Sequence, residues 1–190
     1  MTIEKNGLKL EIKPVDYPTY PRDQGDELGI MVCFHRKYAL GDKHEFANPD
    51  ELHEFLKSKD VVAYLPLYLY DHSGITMSTT PFSCKWDSGQ VGYIYTTKER
   101  MKYLGLEDYT EAKVKEMLEN EVAEYDAHLT GEVYLFQVKD KDDEILDSCG
   151  GYIGSTTKIL LENMRSNAER DHKFLFDELI KQNERKAVYM

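Results

Sequence analysis

The sequence predicts an α+β fold, a single domain built mainly on antiparallel sheet with a long acidic helix and a long C-terminal helix. Three observations carry this expectation. Short apolar runs of strand length and amphipathic helical stretches follow one another in mixed order, without the regular alternation of a parallel sheet. Two strand-like runs, Glu132–Lys139 and Glu144–Ser148, flank the acidic turn Asp140-Lys141-Asp142-Asp143 and make an antiparallel hairpin. Two long stretches carry an apolar stripe at helical spacing. Residues 1–154 are expected to form the core domain, and residues 155–190 a helix that packs on it or extends from it.

The elements follow in order. Leu8 to Val15 (LKLEIKPV) alternates apolar and charged residues, as a half-exposed strand does. Asp16 to Gly25 (DYPTYPRDQG) holds two prolines and reads as an extended connector. Leu28 to Phe34 is a short continuous apolar run and predicts a buried strand. Asn48-Pro49-Asp50-Glu51 starts a helix to about Ser58, with Asn as N-cap, Pro at the first helical position and acids in the first turn. Val61 to Tyr70 (VVAYLPLYLY) is strand-like, and Pro66 points to an edge or a bulge.

Gln90 to Thr96 is a further strand. Thr97 caps a short helix ending near Gly105, and Thr110 caps a long one. The long helix sets Val114, Leu118, Val122, Tyr125 and Leu129 on one face and stops at Gly131. After the hairpin, Gly150, Gly151 and Gly154 loosen the backbone. Ser155 or Thr156 then caps one final helix running to about Arg185, with Leu160, Met164, Ala168, His172, Leu175 and Leu179 as its stripe.

Composition bounds the function. A hydrophobic fraction of 41% and an aromatic fraction of 12% suffice for a core. The net charge of −11 argues against nucleic acid or an anionic membrane surface as the main partner. Nearly all of it lies in residues 107–147, where 14 acids face Lys113, Lys115, Lys139 and Lys141. The three cysteines, Cys33, Cys84 and Cys149, are odd in number and widely spaced, against a disulfide framework. With no CxxC pair, no structural zinc site is expected, and no cofactor. The first residues lack a signal-peptide apolar run, and no segment reads as a membrane span, so a cytoplasmic protein is expected.

The stretch Pro66–Thr96 stands apart. It is 31 residues long with only three formal charges, Asp71, Lys85 and Asp87, yet it holds His72, Cys84 and the sole tryptophan, Trp86. A nucleophilic cysteine needs a base, and the base an orienting carboxylate. Cys84, His72 and Asp87 supply those types. The plainer reading is preferred: Asp71, Ser73, Asp87 and Ser88 make turns ahead of glycines, His72 is hydrogen-bonded, Cys84 packs as a small hydrophobe, and the whole is an ordered, largely buried connector. Asp147-Ser148-Cys149-Gly150-Gly151 is a second thiol candidate, but it lacks a local base and reads more simply as a strand end with a glycine bulge. His172, on an apolar helical face, reads as a satisfied core or interface histidine. Gly150-Gly151-x-x-Gly154 before a helix has the spacing of an anion cradle without the lysine of a phosphate-binding loop.

The acidic run reads as a solvated face or, more sharply, as a phosphate mimic. Carboxylates in rows on one rigid element imitate phosphate charge and are drawn to a basic groove over long range. The candidate partner-binding residues are Glu111, Glu116, Glu119, Glu121, Glu124, Asp126, Asp140, Asp142 and Asp143.

The strings YLYDHSG and PFSCKWDSGQVG, with EYDAHLTGEVY and DSCGGYIG downstream, resemble a family of small acidic proteins carried by phages, plasmids and integrated elements of Firmicutes. The resemblance spans about Asp16 to Gly154. It is similar to one anti-CRISPR group, inhibitors of the type II RNA-guided nuclease. It implies a host type II CRISPR effector nuclease with its guide RNA as partner and brings no catalytic residues. The expected function is therefore a non-catalytic, mobile-element-encoded inhibitor that sets its acidic surface on a basic nucleic-acid-binding surface. The alternatives are a small cysteine-dependent enzyme using Cys84, His72 and Asp87, or a self-associating phage regulatory protein.

Overall fold

The structure is a computed structural model that describes residues 1–23, 25–154 and 157–188. Among these residues eight strands form two antiparallel four-stranded sheets, with five α-helices, so the fold class is α+β. The chain divides into two compact units, residues 1–18 with 131–190, and residues 19–130. The antiparallel sheet expected from the sequence is thus two sheets, one in each unit.

In the first unit, β1 (Thr2–Lys5), β2 (Leu8–Pro14), β7 (Val133–Lys139) and β8 (Ile145–Ile153) pair in that order. The strand β1 was not anticipated. Its signal is Asn6-Gly7, with φ 55° and 75°, the positive-φ pair that closes a two-residue hairpin. Leu10, Ile12, Phe136 and Val138 face α4 (Thr157–Asn167) and α5 (Lys173–Val188), and Phe136 meets Phe176 edge-on with centroids 5.1 Å apart.

The single C-terminal helix is corrected to these two, joined by a short 3-10 turn at Arg170–His172. Straight, it would run about 45 Å, against about 19 Å for the width of four strands. The turn lets both halves cover the sheet. Glu169 leaves helical geometry, and its N–H donates to Asp147 Oδ2 at 2.9 Å. The same oxygen meets His172 Nδ1 at 3.0 Å, so His172 is the buried, satisfied histidine expected. The proposed caps Ser155 and Thr156 lie outside the described residues.

Glu11 ties β2 to β7 on the other face of this sheet. Hydrogen bonds from Lys139, at 2.7 Å, and Lys9 pull its carboxyl down to about 2. A carboxylate lowered on folding contributes stability above the ordinary carboxylate range and loses it as pH falls through the folded value. Glu11→Gln is therefore expected to flatten the acid limb of a stability–pH curve between about 4.5 and about 2. An unchanged limb in acid titrations followed by circular dichroism would show that these bonds do not set acid sensitivity.

In the second unit the sheet order is β3 (Ile30–Cys33), β6 (Ser88–Thr97), β4 (Val61–Asp71), β5 (Ile75–Ser78). The strand β4 is inner rather than an edge, and its ladder with β6 shifts register between Leu67 and Tyr68, next to Pro66, as the bulge alternative expects. Its neighbour β5 pairs only with Tyr68–Asp71, so Pro66 has a partner strand on one side alone, where a missing N–H is tolerated. Helix α1 (Pro49–Leu56) starts as predicted, with Asn48 Oδ1 accepting from Glu51 N at 3.0 Å. The short α2 (Lys98–Tyr103) is capped by Thr97, and the long α3 (Glu111–Thr130) begins after Thr110 and ends at Gly131, φ 74°. Ala63, Leu67, Leu69, Met77 and Ile94 pack against the stripe of α3; Val32 and Tyr95 pack under α1 on the opposite face.

Candidate functional site

The hairpin end of β4 and the loop into β6 bring His72, Cys84 and Asp87 together. Asp71 N donates to Asp87 O at 2.8 Å and His72 N to Gly74 O at 2.9 Å, while Ser73 takes φ 61°. Ser88 Oγ donates to the Cys84 carbonyl and pins the loop. Asp87 Oδ2 then lies 3.2 Å from His72 Nδ1 and 3.7 Å from Cys84 Sγ. The order of contact is Cys–Asp–His. A thiol enzyme needs the imidazole on the sulfur, with the carboxylate behind it. Here the carboxylate occupies the position of the base, and the His72 side chain is 63% exposed to water. The arrangement is a loop clasp. Among the described residues no group of three or more His, Cys, Asp and Glu side chains is placed to hold a metal ion.

The connector is less buried than expected. Leu67, Leu69, Met77 and Ile94 are in the core, but residues 80–90 are largely exposed and Trp86 is 96% exposed. Cys33 is buried, with its thiol pushed up to about 12 by burial. Cys149 lies in the other unit, on β8 near the core of that sheet.

The nine candidate acids fall into three groups. Glu111, Glu116, Glu119 and Glu124 are exposed on α3, with Glu111 paired to Lys115 at 2.6 Å and Glu116 to Lys113 at 2.9 Å. Asp142 and Asp143 are exposed on the hairpin of the first unit, where Asp140 folds back to accept from Asp142 N and Glu144 N and closes the turn. The remaining two are committed inside the fold. Asp126 Oδ1 accepts from Thr76 Oγ1 at 2.7 Å and Met77 N at 2.6 Å, tying α3 to β5.

Glu121 accepts from Leu28 N at 2.5 Å and from Arg22 Nη1 at 2.9 Å. Burial pushes its carboxyl above the ordinary range even with Arg22 beside it. The Arg22 side chain, 3% exposed, also grips Asp42 through Nε at 3.0 Å and Nη2 at 2.7 Å and donates to the Gly29 carbonyl. This network was not anticipated, because Arg22 sits in what reads as a connector. The signal for Glu121 and Asp126 was their spacing. Glu121 is three residues past Leu118 and four before Tyr125, and Asp126 is four past Val122.

The acidic run continuous in sequence is therefore shared between the two units, the helix in one and the hairpin in the other. No helix of the described residues is long and apolar enough to cross a membrane. Compared with known proteins, the chain matches no family model, no curated protein and no solved structure.

Proposed function

We infer that the chain is a non-catalytic binding inhibitor that sets the carboxylates of α3 against a basic, nucleic-acid-binding surface. The nuclease implied by the sequence resemblance, the guide-loaded type II effector, carries such surfaces. The observation that carries this reading is four exposed carboxylates, Glu111, Glu116, Glu119 and Glu124, fanned around the solvent side of a 20-residue helix whose buried face holds Val114, Leu118, Val122 and Tyr125. Carboxylates carried on one rigid helix lose little freedom on docking and attract cationic surfaces beyond contact range. The loop clasp at Asp87, with its thiol on a carboxylate, favours binding over chemistry.

Asp126 and Glu121 are unsuitable for testing this, because changing them disturbs the fold. The combined variant Glu116→Lys, Glu119→Lys and Glu124→Lys is expected to weaken binding to guide-loaded nuclease at least tenfold, about 1.4 kcal/mol. Wild-type affinity should itself fall with added salt. Calorimetric titration beside a DNA-cleavage assay reads both. Unchanged affinity in the variant removes the acidic helix as the contact, and absence of any complex with the wild type removes the inhibitor reading.

A further inference from the structure

We propose that the groove at the hairpin end of β4 is a nucleotide site, in which a base stacks on Trp86 and donates an N–H to Asp87 while its phosphate meets Arg36. The groove encloses about 500 Å³, within the ~300–1,000 Å³ of small-molecule sites. Two pinned segments bound it. Phe34 N donates to Val91 O at 2.7 Å and Tyr38 OH to Asp71 Oδ1 at 3.1 Å, which fixes residues 34–38. The loop that carries Trp86 and Asp87 is held in turn by Ser88 Oγ on the Cys84 carbonyl and by His72 on Asp87. Leu69 and Val91 add apolar lining. A groove fixed in this way loses little freedom when it fills.

The groups left unused in the groove select the ligand. Trp86 is 96% exposed, and neither it nor the exposed Arg36 has a partner among the described residues. His35 Nδ1 accepts from Lys37 N at 3.3 Å and Tyr38 N at 3.2 Å, which leaves Nε2 as the N–H of the ring. Both oxygens of Asp71 are taken, by Tyr38 and Lys37. Asp87 commits Oδ2 to His72 and Cys84, while Oδ1 takes no bond among the described residues. What remains is a flat ring, two donors for an anion and one acceptor for an N–H. A nucleotide carries all three complements: a π-face, a phosphate and an N–H on the base edge. An arginine or lysine side chain would stack on the indole but meet the charge of Arg36. A bare anion would leave the indole and Asp87 unused. The net charge of −11 acts weakly here. Residues 34–38 and 84–87 carry Arg36, Lys37 and Lys85 against Asp87 alone, and in ~0.15 M salt charges beyond about 8 Å are largely screened. This proposal does not depend on what α3 binds.

Trp86 is the only tryptophan, so its fluorescence reports on this groove alone. Titration of the full chain with GMP is expected to quench it to saturation, with a dissociation constant of about 0.1–1 mM for one stacked base and one phosphate. Guanosine, which lacks the phosphate, should bind about fivefold more weakly or worse, and so should GMP to Arg36→Gln. Trp86→Ala, followed by calorimetry, should weaken GMP about fivefold or more. Both side chains are exposed, so the unfolding midpoint should stay in place. A single-stranded hexanucleotide titrated in parallel identifies the source. Binding at least tenfold tighter than GMP assigns the groove to a strand, and anything less assigns it to a free nucleotide. Quenching by both ligands that rises without saturating, as for free tryptophan, would overturn the proposal. So would inorganic phosphate that competes as well as GMP, or a GMP affinity indifferent to both variants.

Discussion

Replacing Arg22 with methionine is expected to destabilise the second unit by about 3–5 kcal/mol, the cost of breaking a buried ion-pair network from one side. The side chain is 3% exposed and its guanidinium holds two carboxylates, Asp42 through two bonds and Glu121 through one. Methionine fills similar volume, so the loss isolates the charge. Asp42 and Glu121 would remain without their counter-ion, while Asp42 Oδ2 still anchors Met31 N at 2.7 Å and Glu121 still anchors Leu28 N. Lysine at the same position should recover little, because an ammonium cannot reproduce the bidentate fork. Urea unfolding gives the magnitude. Pairing Arg22→Met with Glu121→Gln should cost less than the sum of the two, since one buried charge is removed with its partner. A loss below about 1 kcal/mol for Arg22→Met would show that water reaches these carboxylates.

The Arg22 network also shows which parts of the molecule were legible in the residues. Caps were: Asn48, Thr97 and Thr110 stand where local chemistry puts them, because a cap depends on three or four neighbouring residues. The break at Arg170–His172 was not. Leu160, Met164, Ala168, His172, Leu175 and Leu179 keep helical spacing straight through it, since both halves pack on one sheet and need the same stripe. What ends the helix is Asp147, some twenty residues upstream, taking the Glu169 N–H. In the same way Cys84, His72 and Asp87 were legible as types and as neighbours in the chain, but not the order in which they touch. That order depends on a loop pinned by Ser88 and on a backbone bond from Asp71 to Asp87. Glu121 and Asp126 leave the solvent face because they stand three or four residues from Leu118, Val122 and Tyr125, on the flank of the apolar stripe. The run carries the charge, and the stripe decides which of its members point at water.

Gly92→Ala is expected to be more damaging than its size suggests, with a loss of about 4 kcal/mol or more, in the range reserved for specific steric conflicts. Gly92 lies in β6 opposite Cys33 of β3. A Cβ there would stand 1.9 Å from the Val32 carbonyl oxygen and 2.9 Å from Cys33 Cα. Both are backbone atoms, so no rotamer change relieves the contact, and β3 would have to move. It is held on every side. Phe34 N donates to Val91 O at 2.7 Å, Asp42 N donates to Met31 O at 2.7 Å, and Val32 is bridged to Gly41. Its side chains are divided between two cores, Met31 and Cys33 under α3 and Val32 under α1. A shift that makes room for one methyl group therefore loosens both faces at once. Gly89→Ala, three residues earlier in the same strand, is the matched control: an added Cβ meets nothing within 4 Å, and the change should stay within about 0.5 kcal/mol of wild type. Urea midpoints of the two variants, measured side by side, decide the matter. Equal midpoints would mean that β3 does not lie against Gly92.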